Sequence, residues 1–205
     1  MILATPSYLC TMKKHRLALF VSGTGSNALN IATYFSQHHS VEIGLFVTNN
    51  ATSPAIQVFQ RMDIPCTIID NAQAADGNFL IDLCSAHTID HVVLAGYLRL
   101  IPASFIHVFN TRIFNIHPAL LPNFGGKGMY GNRVHAAVLD AGEVESGITI
   151  HLVNEHFDEG RTLAQFHCSV GQNDTIETLR IKIQELEHAH YPVVIEQTLN
   201  LENHV

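Results

Sequence analysis

A short apolar run that stops at a glycine-rich turn constrains the fold of this chain more than any other feature. Residues 17–21 (LALFV) are all apolar, residues 22–27 (SGTGSN) follow directly, and residues 28–35 (ALNIATYF) have the pattern of a helix. A strand that is apolar on both faces is typical of a parallel sheet covered by helices on both sides. This stretch therefore predicts a buried strand, a tight turn and a crossover helix.

The same alternation continues along the chain. Further strands are predicted at residues 41–48, 66–70 and 91–100. Ser53 is expected to cap one crossover helix, and a second is predicted at residues 79–87. Strands that alternate with helices in this way indicate a doubly wound, mostly parallel sheet with right-handed crossovers.

The last third of the chain departs from this alternation. Strands predicted at residues 146–153 and 162–170 are separated by about eight residues, too few for a crossover helix, so we expect antiparallel neighbours. Helices are predicted at residues 131–141 and 176–194, the second either continuous or bent at Pro192. The expected fold class is thus α/β, with a mostly parallel sheet and antiparallel strands in its C-terminal part.

Size and composition are those of one globular domain. The 205 residues are 47% hydrophobic and 14% charged, so we expect a flexible extension at residues 1–14 and a single domain at residues 15–205. No apolar run approaches the roughly 20 residues that span a bilayer, and a net charge of −7 argues against a nucleic-acid surface. The four cysteines form no C-x-x-C pair, which indicates a cytoplasmic protein with free thiols.

The turn at residues 22–27 predicts an anion site. A glycine-rich turn that enters a helix presents free backbone N–H groups and the positive end of the helix dipole. The spacing matches neither the P-loop, which needs G-K-S/T, nor the dinucleotide pattern G-x-G-x-x-G, so a phosphate monoester fits better than a dinucleotide or a triphosphate. A tight turn without a ligand is the alternative.

Residues 114–122 (FNIHPALLP) place polar side chains where a buried strand ends. Asn115 and His117 are two positions apart, so in an extended segment their side chains leave the same face. Pro118 biases His117 away from a helix, so the chain leaves the sheet here as a loop. An amide donor and a titratable group then meet in one small volume. A surface histidine that happens to precede a proline is the alternative.

Among the 14 histidines, His117 is set apart by these neighbours. Others lack the spacing of a metal site, and no metal is expected. We expect them at the surface: His38, His39, His87, His91, His107, His135 and His204.

The acidic loop at residues 154–160 (NEHFDEG) offers a carboxylate to His117. Asp158, placed against the imidazole, would fix its orientation and favour its protonated form. No nucleophilic serine or cysteine is evident. The set suits direct attack on a carbonyl by a substrate's own amine, with Asn115 stabilising the oxyanion and His117 handling protons.

Four segments together resemble the phosphoribosylglycinamide formyltransferases, a folate-dependent family of purine synthesis. They are residues 22–27 (SGTGSN), 92–99 (VVLAGYLR), 114–122 (FNIHPALLP) and 157–160 (FDEG), in the family's order and spacing. The resemblance covers about residues 17–199 and implies one Rossmann-like formyltransferase domain. It also implies transfer of a formyl group from the co-substrate 10-formyltetrahydrofolate to glycinamide ribonucleotide, by a monomer or a homodimer.

The resemblance implies roles for individual residues. The catalytic residues are Asn115, His117 and Asp158, supported by His151. The substrate phosphate is held by Gly25, Ser26 and Asn27, and the other end of the substrate is reached by Gln184 and Glu187. The folate lies against Leu98, Arg99, Leu100, Ile101, Asn154, Glu155, His156 and Phe157.

A departure from the family pattern at Glu159 and three alternative functions bear on this assignment. Glu159 stands where the family usually has a glycine, which is expected to change loop flexibility or folate contacts. A formyltetrahydrofolate deformylase normally carries an extra domain before the first strand, where only about 16 residues precede residue 17. A methionyl-tRNA formyltransferase needs an RNA-binding domain and a basic surface. A non-catalytic nucleotide or folate binder would not need Asn115, His117 and Asp158 together, so we favour the transferase.

Overall fold

The structure, a computed structural model, describes residues 14–202, so all but the last residue of the expected extension lies outside it. Its strands are β1 (His15–Val21), β2 (Val41–Thr48), β3 (Cys66–Ile68), β4 (His91–Leu94), β5 (Ile113–His117), β6 (Glu145–Leu152) and β7 (Thr162–Ser169). Among the described residues these strands form one sheet in the order β3-β2-β1-β4-β5-β6-β7. Strands β1 to β5 pair in parallel, whereas β6 pairs antiparallel with both β5 and β7. The predicted mixed α/β sheet is therefore confirmed.

Helices cover both faces of this sheet. They are α1 (Ser26–Phe35), α2 (Ala55–Arg61), α3 (Asn71–Ala75), α4 (Gly77–Ala86), α5 (Ala103–Val108), α6 (Asn132–Asp140) and α7 (Ile176–Glu202). Residues of α1, α2, α6 and α7 contribute to one hydrophobic cluster, and residues of α3, α4 and α5 to the other. Strand β1 contributes side chains to both clusters: Leu19 and Val21 lie in the first, and Ala18 and Phe20 lie in the second. This two-sided burial explains why the strand is apolar at successive positions.

The fourth strand is shorter than predicted. It ends at Leu94, and Gly96 has a φ of 76°, in the left-handed region that favours glycine. The chain therefore turns out of the sheet, and residues 97–101 form a loop at its carboxyl edge. The sequence predicts a strand through residue 100 because hydrophobic periodicity does not distinguish a strand from an apolar loop.

Two predictions about helix starts also require correction. Ser53 does not cap α2; its hydroxyl donates a hydrogen bond to the Gly23 carbonyl (3.0 Å), which fastens α2 to the glycine-rich turn. The third strand stops at Ile68 because Asp70 caps α3, a short helix that was not predicted. The Asp70 carboxylate accepts from the Gln73 backbone N–H, and the Gln73 side chain accepts from the Asp70 N–H.

Helix α7 is continuous through Pro192. Proline has no N–H, so it cannot donate to the carbonyl of His188, four residues earlier. The Asn30 side chain on α1 donates to that carbonyl instead, at 2.8 Å. A tertiary hydrogen bond thus replaces the missing helical one, which is why the alternative of two bent pieces is not observed.

Thr149, at the centre of β6, holds the segment that follows β5. Its fully buried hydroxyl donates to the Ala119 carbonyl (2.7 Å) and accepts from the Leu121 N–H (2.9 Å) and from the Gln165 amide (2.9 Å). All the hydrogen-bonding capacity of the hydroxyl is therefore used. Because His117 immediately precedes this segment, the same contacts fix where its backbone leaves the sheet.

We predict that Thr149→Val lowers the free energy of unfolding by about 1–3 kcal/mol, because it keeps the side-chain shape but leaves buried backbone groups without partners. Urea denaturation of wild type and variant measures the change. Thr162→Val is the matched control, since Thr162 is exposed on β7. This variant should change the free energy of unfolding by no more than about 0.5 kcal/mol. Equal losses in the two variants would contradict the role assigned to the hydroxyl.

Candidate functional site

A cavity of about 360 Å³ lies at the carboxyl edge of the parallel strands, between α7 and the loops after β4, β5 and β6. This is where ligands bind in doubly wound sheets. The predicted site residues that line it are Asn27, Leu98, Arg99, Leu100, Ile101, Asn115, His117, His151, Asn154, Glu155, His156, Phe157, Asp158, Gln184 and Glu187. Gly25 and Ser26 do not line the cavity themselves, but they adjoin Asn27 in the turn that enters α1.

The glycine-rich turn has the geometry that its sequence predicts. Gly25 has a φ of 81° and is packed so that an added Cβ would lie 2.6 Å from the Cβ of Ala55. The turn is joined to the loop after β4, since the Leu98 N–H donates to the Ser22 hydroxyl at 2.9 Å. The start of α1 and the apolar loop are therefore held as neighbouring walls of the cavity.

Helix α7 contacts this turn through the two side chains that the resemblance pointed to. The Gln184 amide donates to the Ser26 hydroxyl at 3.2 Å, and the Asn27 amide donates to the Glu187 carboxylate at 2.8 Å. Burial raises the pKa of Glu187, and the hydrogen bond from Asn27 opposes this shift. Residues about 160 positions apart in the chain are thus brought together.

Asn115 is oriented by His151, its partner across the β5–β6 pairing. The His151 Nδ1 atom lies 3.1 Å from the Leu152 carbonyl, which can only accept, so Nδ1 carries the hydrogen. The Nε2 atom then accepts from the Asn115 amide at 3.1 Å. Burial lowers the pKa of His151, which favours this neutral form. The amide of Asn115 keeps a second N–H for another acceptor.

His117 is held between a carbonyl and a carboxylate. Its Nε2 atom donates to the Phe124 carbonyl at 2.8 Å, and its Nδ1 atom lies 3.5 Å from the Asp158 carboxylate. Asp158 lies where the prediction puts it, and its charge favours the protonated form of His117 as expected, but burial has the larger effect on the pKa. Burial lowers the pKa of His117 by more than Asp158 and Phe124 raise it, so the neutral imidazole is favoured at neutral pH.

The glycine-rich loop after β5 positions Asp158. The Gly126 N–H donates to the Asp158 carboxylate at 2.9 Å. At Gly125 an added Cβ would lie 2.5 Å from the Leu121 side chain and 3.3 Å from the Asp158 Cβ, so a glycine allows this close approach. The other carboxylate oxygen of Asp158 lies 3.8 Å from His151 Nε2. Asp158 therefore faces both histidines.

Several residues that line the cavity are not predicted from the sequence, and two histidines predicted at the surface are buried. His91 and His135 were expected at the surface, but each is only 3% exposed. His135 lines the cavity together with Met129, Tyr130 and Arg180. The signal for His135 was its place beside Val134 and three residues before Val138, on the buried side of α6.

No group of three or more His, Cys, Asp or Glu side chains between residues 14 and 202 is arranged to hold a metal ion. In the same part of the chain no helix has the length and apolar character needed to cross a membrane.

Comparison with known proteins shows the family of the chain. Residues 15–195 match the family described as formyl transferase. A chloroplastic phosphoribosylglycinamide formyltransferase of Vigna unguiculata is 42% identical over 192 residues, which are 91% of this chain and 61% of that protein. The phosphoribosylglycinamide formyltransferase of Bacillus subtilis is 34% identical over 197 residues, 94% of this chain and 97% of that protein. The chain thus spans less than two thirds of the plant relative and nearly all of the bacterial one.

Solved structures give the same result. The crystal structure of phosphoribosylglycinamide formyltransferase from Bacillus halodurans is 33% identical, with a TM-score of 0.81 and coverage of 90% of this chain and 95% of that chain. Glycinamide ribonucleotide transformylase 1 from Geobacillus kaustophilus has a TM-score of 0.83 at 29% identity, with coverage of 91% and 99%. Because sequence and fold agree over nearly the whole described chain, this chain belongs to the formyl transferase family and, within it, to the phosphoribosylglycinamide formyltransferases.

Proposed function

We propose that this chain transfers the formyl group of 10-formyltetrahydrofolate to the amine of glycinamide ribonucleotide, a reaction of purine synthesis. The observation that carries the proposal is the meeting of Asn115, His117 and Asp158 at one wall of a cavity that also reaches the start of α1. The dispersed cysteines and the net charge of −7 support a cytoplasmic enzyme that does not bind nucleic acid. The family resemblance suggests a monomer or a homodimer.

The two substrates have distinct places in this proposal. The ribonucleotide phosphate binds at Gly25, Ser26 and Asn27, where the N-terminus of α1 offers free N–H groups. Gln184 and Glu187 bind the rest of the ribonucleotide. The folate binds between the loops after β4 and β6, where large apolar side chains are exposed beside the cavity: Leu98, Leu100 and Phe157 are 57%, 59% and 46% exposed. A flat heterocycle would cover them.

Asn115 stabilises the oxyanion that forms when the amine attacks the formyl carbon. One N–H of its amide is used by His151, which fixes the rotamer and leaves the second N–H for the oxyanion. A donor placed in advance for charge that develops in the transition state is worth about 2.7–4 kcal/mol. His151 is therefore a positioning residue in this mechanism.

His117 moves the proton through its Nδ1 atom. Its Nε2 hydrogen is used by the Phe124 carbonyl, so in the neutral form Nδ1 is the basic atom. Nδ1 takes a proton from the attacking amine and returns it to the folate nitrogen N10 as the C–N10 bond breaks. The products are the formylated amine and tetrahydrofolate, with no net proton change on the enzyme. Asp158 stabilises the imidazolium while it exists.

The test is formyl transfer measured as the appearance of tetrahydrofolate, with and without glycinamide ribonucleotide. Turnover that requires the ribonucleotide and yields its formylated product supports the proposal. Folate turnover that proceeds equally without the ribonucleotide would show a deformylase instead. No turnover, together with binding of both ligands, would leave a non-catalytic binder.

We predict that His117→Asn lowers kcat by about 10²–10⁴-fold, because it removes the group that carries the proton. The KM values for both substrates should change much less, since the side chain acts on the reacting atoms. His107→Asn is the control, because His107 is exposed on α5 and does not line the cavity. A kcat for His117→Asn within tenfold of this control would contradict the assigned role.

We also predict that Asp158→Asn lowers the pKa of His117 further. Asp158 opposes the effect of burial, so removing its charge leaves burial less opposed, and protonation of His117 then requires a lower pH. NMR titration of the histidine Cε1–H signals, with His117 assigned by the His117→Asn variant, measures the shift. Asp82→Asn, an exposed change on α4, should leave this pKa unchanged. If the pKa of His117 rises in Asp158→Asn, Asp158 does not oppose the effect of burial on His117.

A further inference from the structure

Positive charge is scarce in this cavity. The chain has a net charge of −7, and among the described residues the cavity lining contains two permanently charged cations, Arg99 and Arg180. Arg99 lies on the loop after β4, where the folate is proposed to bind. Arg180 lies on α7, and it has no role in the function proposed above. A substrate that carries a phosphate needs compensation of its charge, and backbone N–H groups at a helix start supply only partial charges.

Arg180 is connected to the proposed phosphate turn through one side chain. Its Nη1 atom donates to the Gln184 amide oxygen at 3.4 Å, and the Gln184 amide nitrogen donates to the Ser26 hydroxyl at 3.2 Å. Arg180 stands one helical turn before Gln184, on the same side of α7. Through Gln184, the Arg180 guanidinium is therefore connected to Ser26 at the start of α1.

Glu177, which pairs with Arg180 in this structure, would compete only weakly with a phosphate for the guanidinium. Glu177 accepts from Arg180 Nε at 3.0 Å and from Nη2 at 2.7 Å, and the two side chains are 65% and 40% exposed. Exposed ion pairs within one helical turn contribute little to stability. A phosphate offers the same bidentate geometry with more charge, so it can replace Glu177 at small cost.

His135 gives independent support for a ligand at this wall. It lines the same cavity, it is 3% exposed, and its Nδ1 atom has no hydrogen-bond partner. A buried polar atom without a partner is uncommon in a folded protein and calls for an explanation. Arg180 is close enough to lower the pKa of His135, although burial has the larger effect. An imidazole and a guanidinium therefore line this wall together.

We propose that Arg180 is a phosphate-binding residue that exchanges Glu177 for the phosphate of the substrate held at the start of α1. The proposal rests on the proposed function for the identity of that substrate and deepens it. Glu177 acts as an internal competitor, so the two residues together set the affinity for the phosphate end. Arg180 does not touch the reacting atoms, and its contribution is to substrate binding.

The kinetic experiment compares substitutions at both residues. Arg180→Gln should raise the KM for glycinamide ribonucleotide about tenfold, the loss of roughly one charge-assisted hydrogen bond. Arg180→Lys should recover part of the loss, since it keeps the charge without the fork. Glu177→Gln should lower this KM by about twofold, because the competitor is removed. In all three variants, kcat and the KM for the formyl donor should stay within about twofold of wild type.

Arg112→Gln is the matched control, because Arg112 precedes β5 at the opposite edge of the sheet and does not line the cavity. It removes the same charge from the protein. If Arg180→Gln and Arg112→Gln have the same KM for the ribonucleotide, or if Glu177→Gln weakens binding, the proposal is overturned.

A binding measurement separates this proposal from the proposed function. Calorimetric titration with ribose 5-phosphate requires no turnover. Affinity that falls about tenfold in Arg180→Gln and rises in Glu177→Gln supports the phosphate role, even if wild type fails to transfer a formyl group. Affinity that is equal in wild type and Arg180→Gln overturns the phosphate role, even if formyl transfer to the ribonucleotide is observed.

Discussion

The antiparallel pairing of β5 with β6 is the constraint on which the site depends. It places Asn115 opposite His151 and His117 opposite Thr149, so all four side chains lie on one side of the sheet. A slip of β6 by one residue would turn Thr149 and His151 to the other face, away from His117 and Asn115. The Thr149 hydroxyl secures the chain beyond His117, and the parallel neighbour β4 holds the other side of β5. The geometry of the proposed catalytic residues therefore depends on the register of β5 and β6.

Burial determines the protonation of the site more than charge does. His117 and His151 both have lowered pKa values because desolvation outweighs the carboxylate of Asp158. Backbone carbonyls then select the tautomers: that of Phe124 leaves Nδ1 of His117 basic, and that of Leu152 leaves Nε2 of His151 as an acceptor. A neutral His117 that can accept a proton beside a carboxylate suits a reaction in which one proton moves from amine to leaving group. In the proposed mechanism, the Asp158 carboxylate stabilises the imidazolium of His117 during the proton transfer.

The sequence predicted most elements, and nearly all of the site residues that it predicted line the cavity. Some of its errors are local, such as the missed helix α3, whereas others depend on a contact between distant parts of the chain. Ser53 resembles a helix cap, but Gly23 competes for its hydroxyl. The sequence leaves open whether α7 bends at Pro192, and the hydrogen bond from Asn30 to the His188 carbonyl accompanies the continuous helix. The sequence predicts His135 at the surface because it does not show that α6 packs against α7. Arg180 belongs to none of the motifs found in the sequence.

The alternation of strands and helices, the turn that enters α1 and the polar residues on β5 and the loop after β6 can be predicted from the amino-acid sequence. Those features follow from local periodicity, from the conformational limits of glycine and proline, and from the spacing of side chains on an extended strand. The protonation state of His117, the tautomer of His151 and the network from Arg180 to Ser26 become visible in the folded chain. Desolvation, the choice of hydrogen-bond partner and contact across more than 150 residues arise only when the chain is folded.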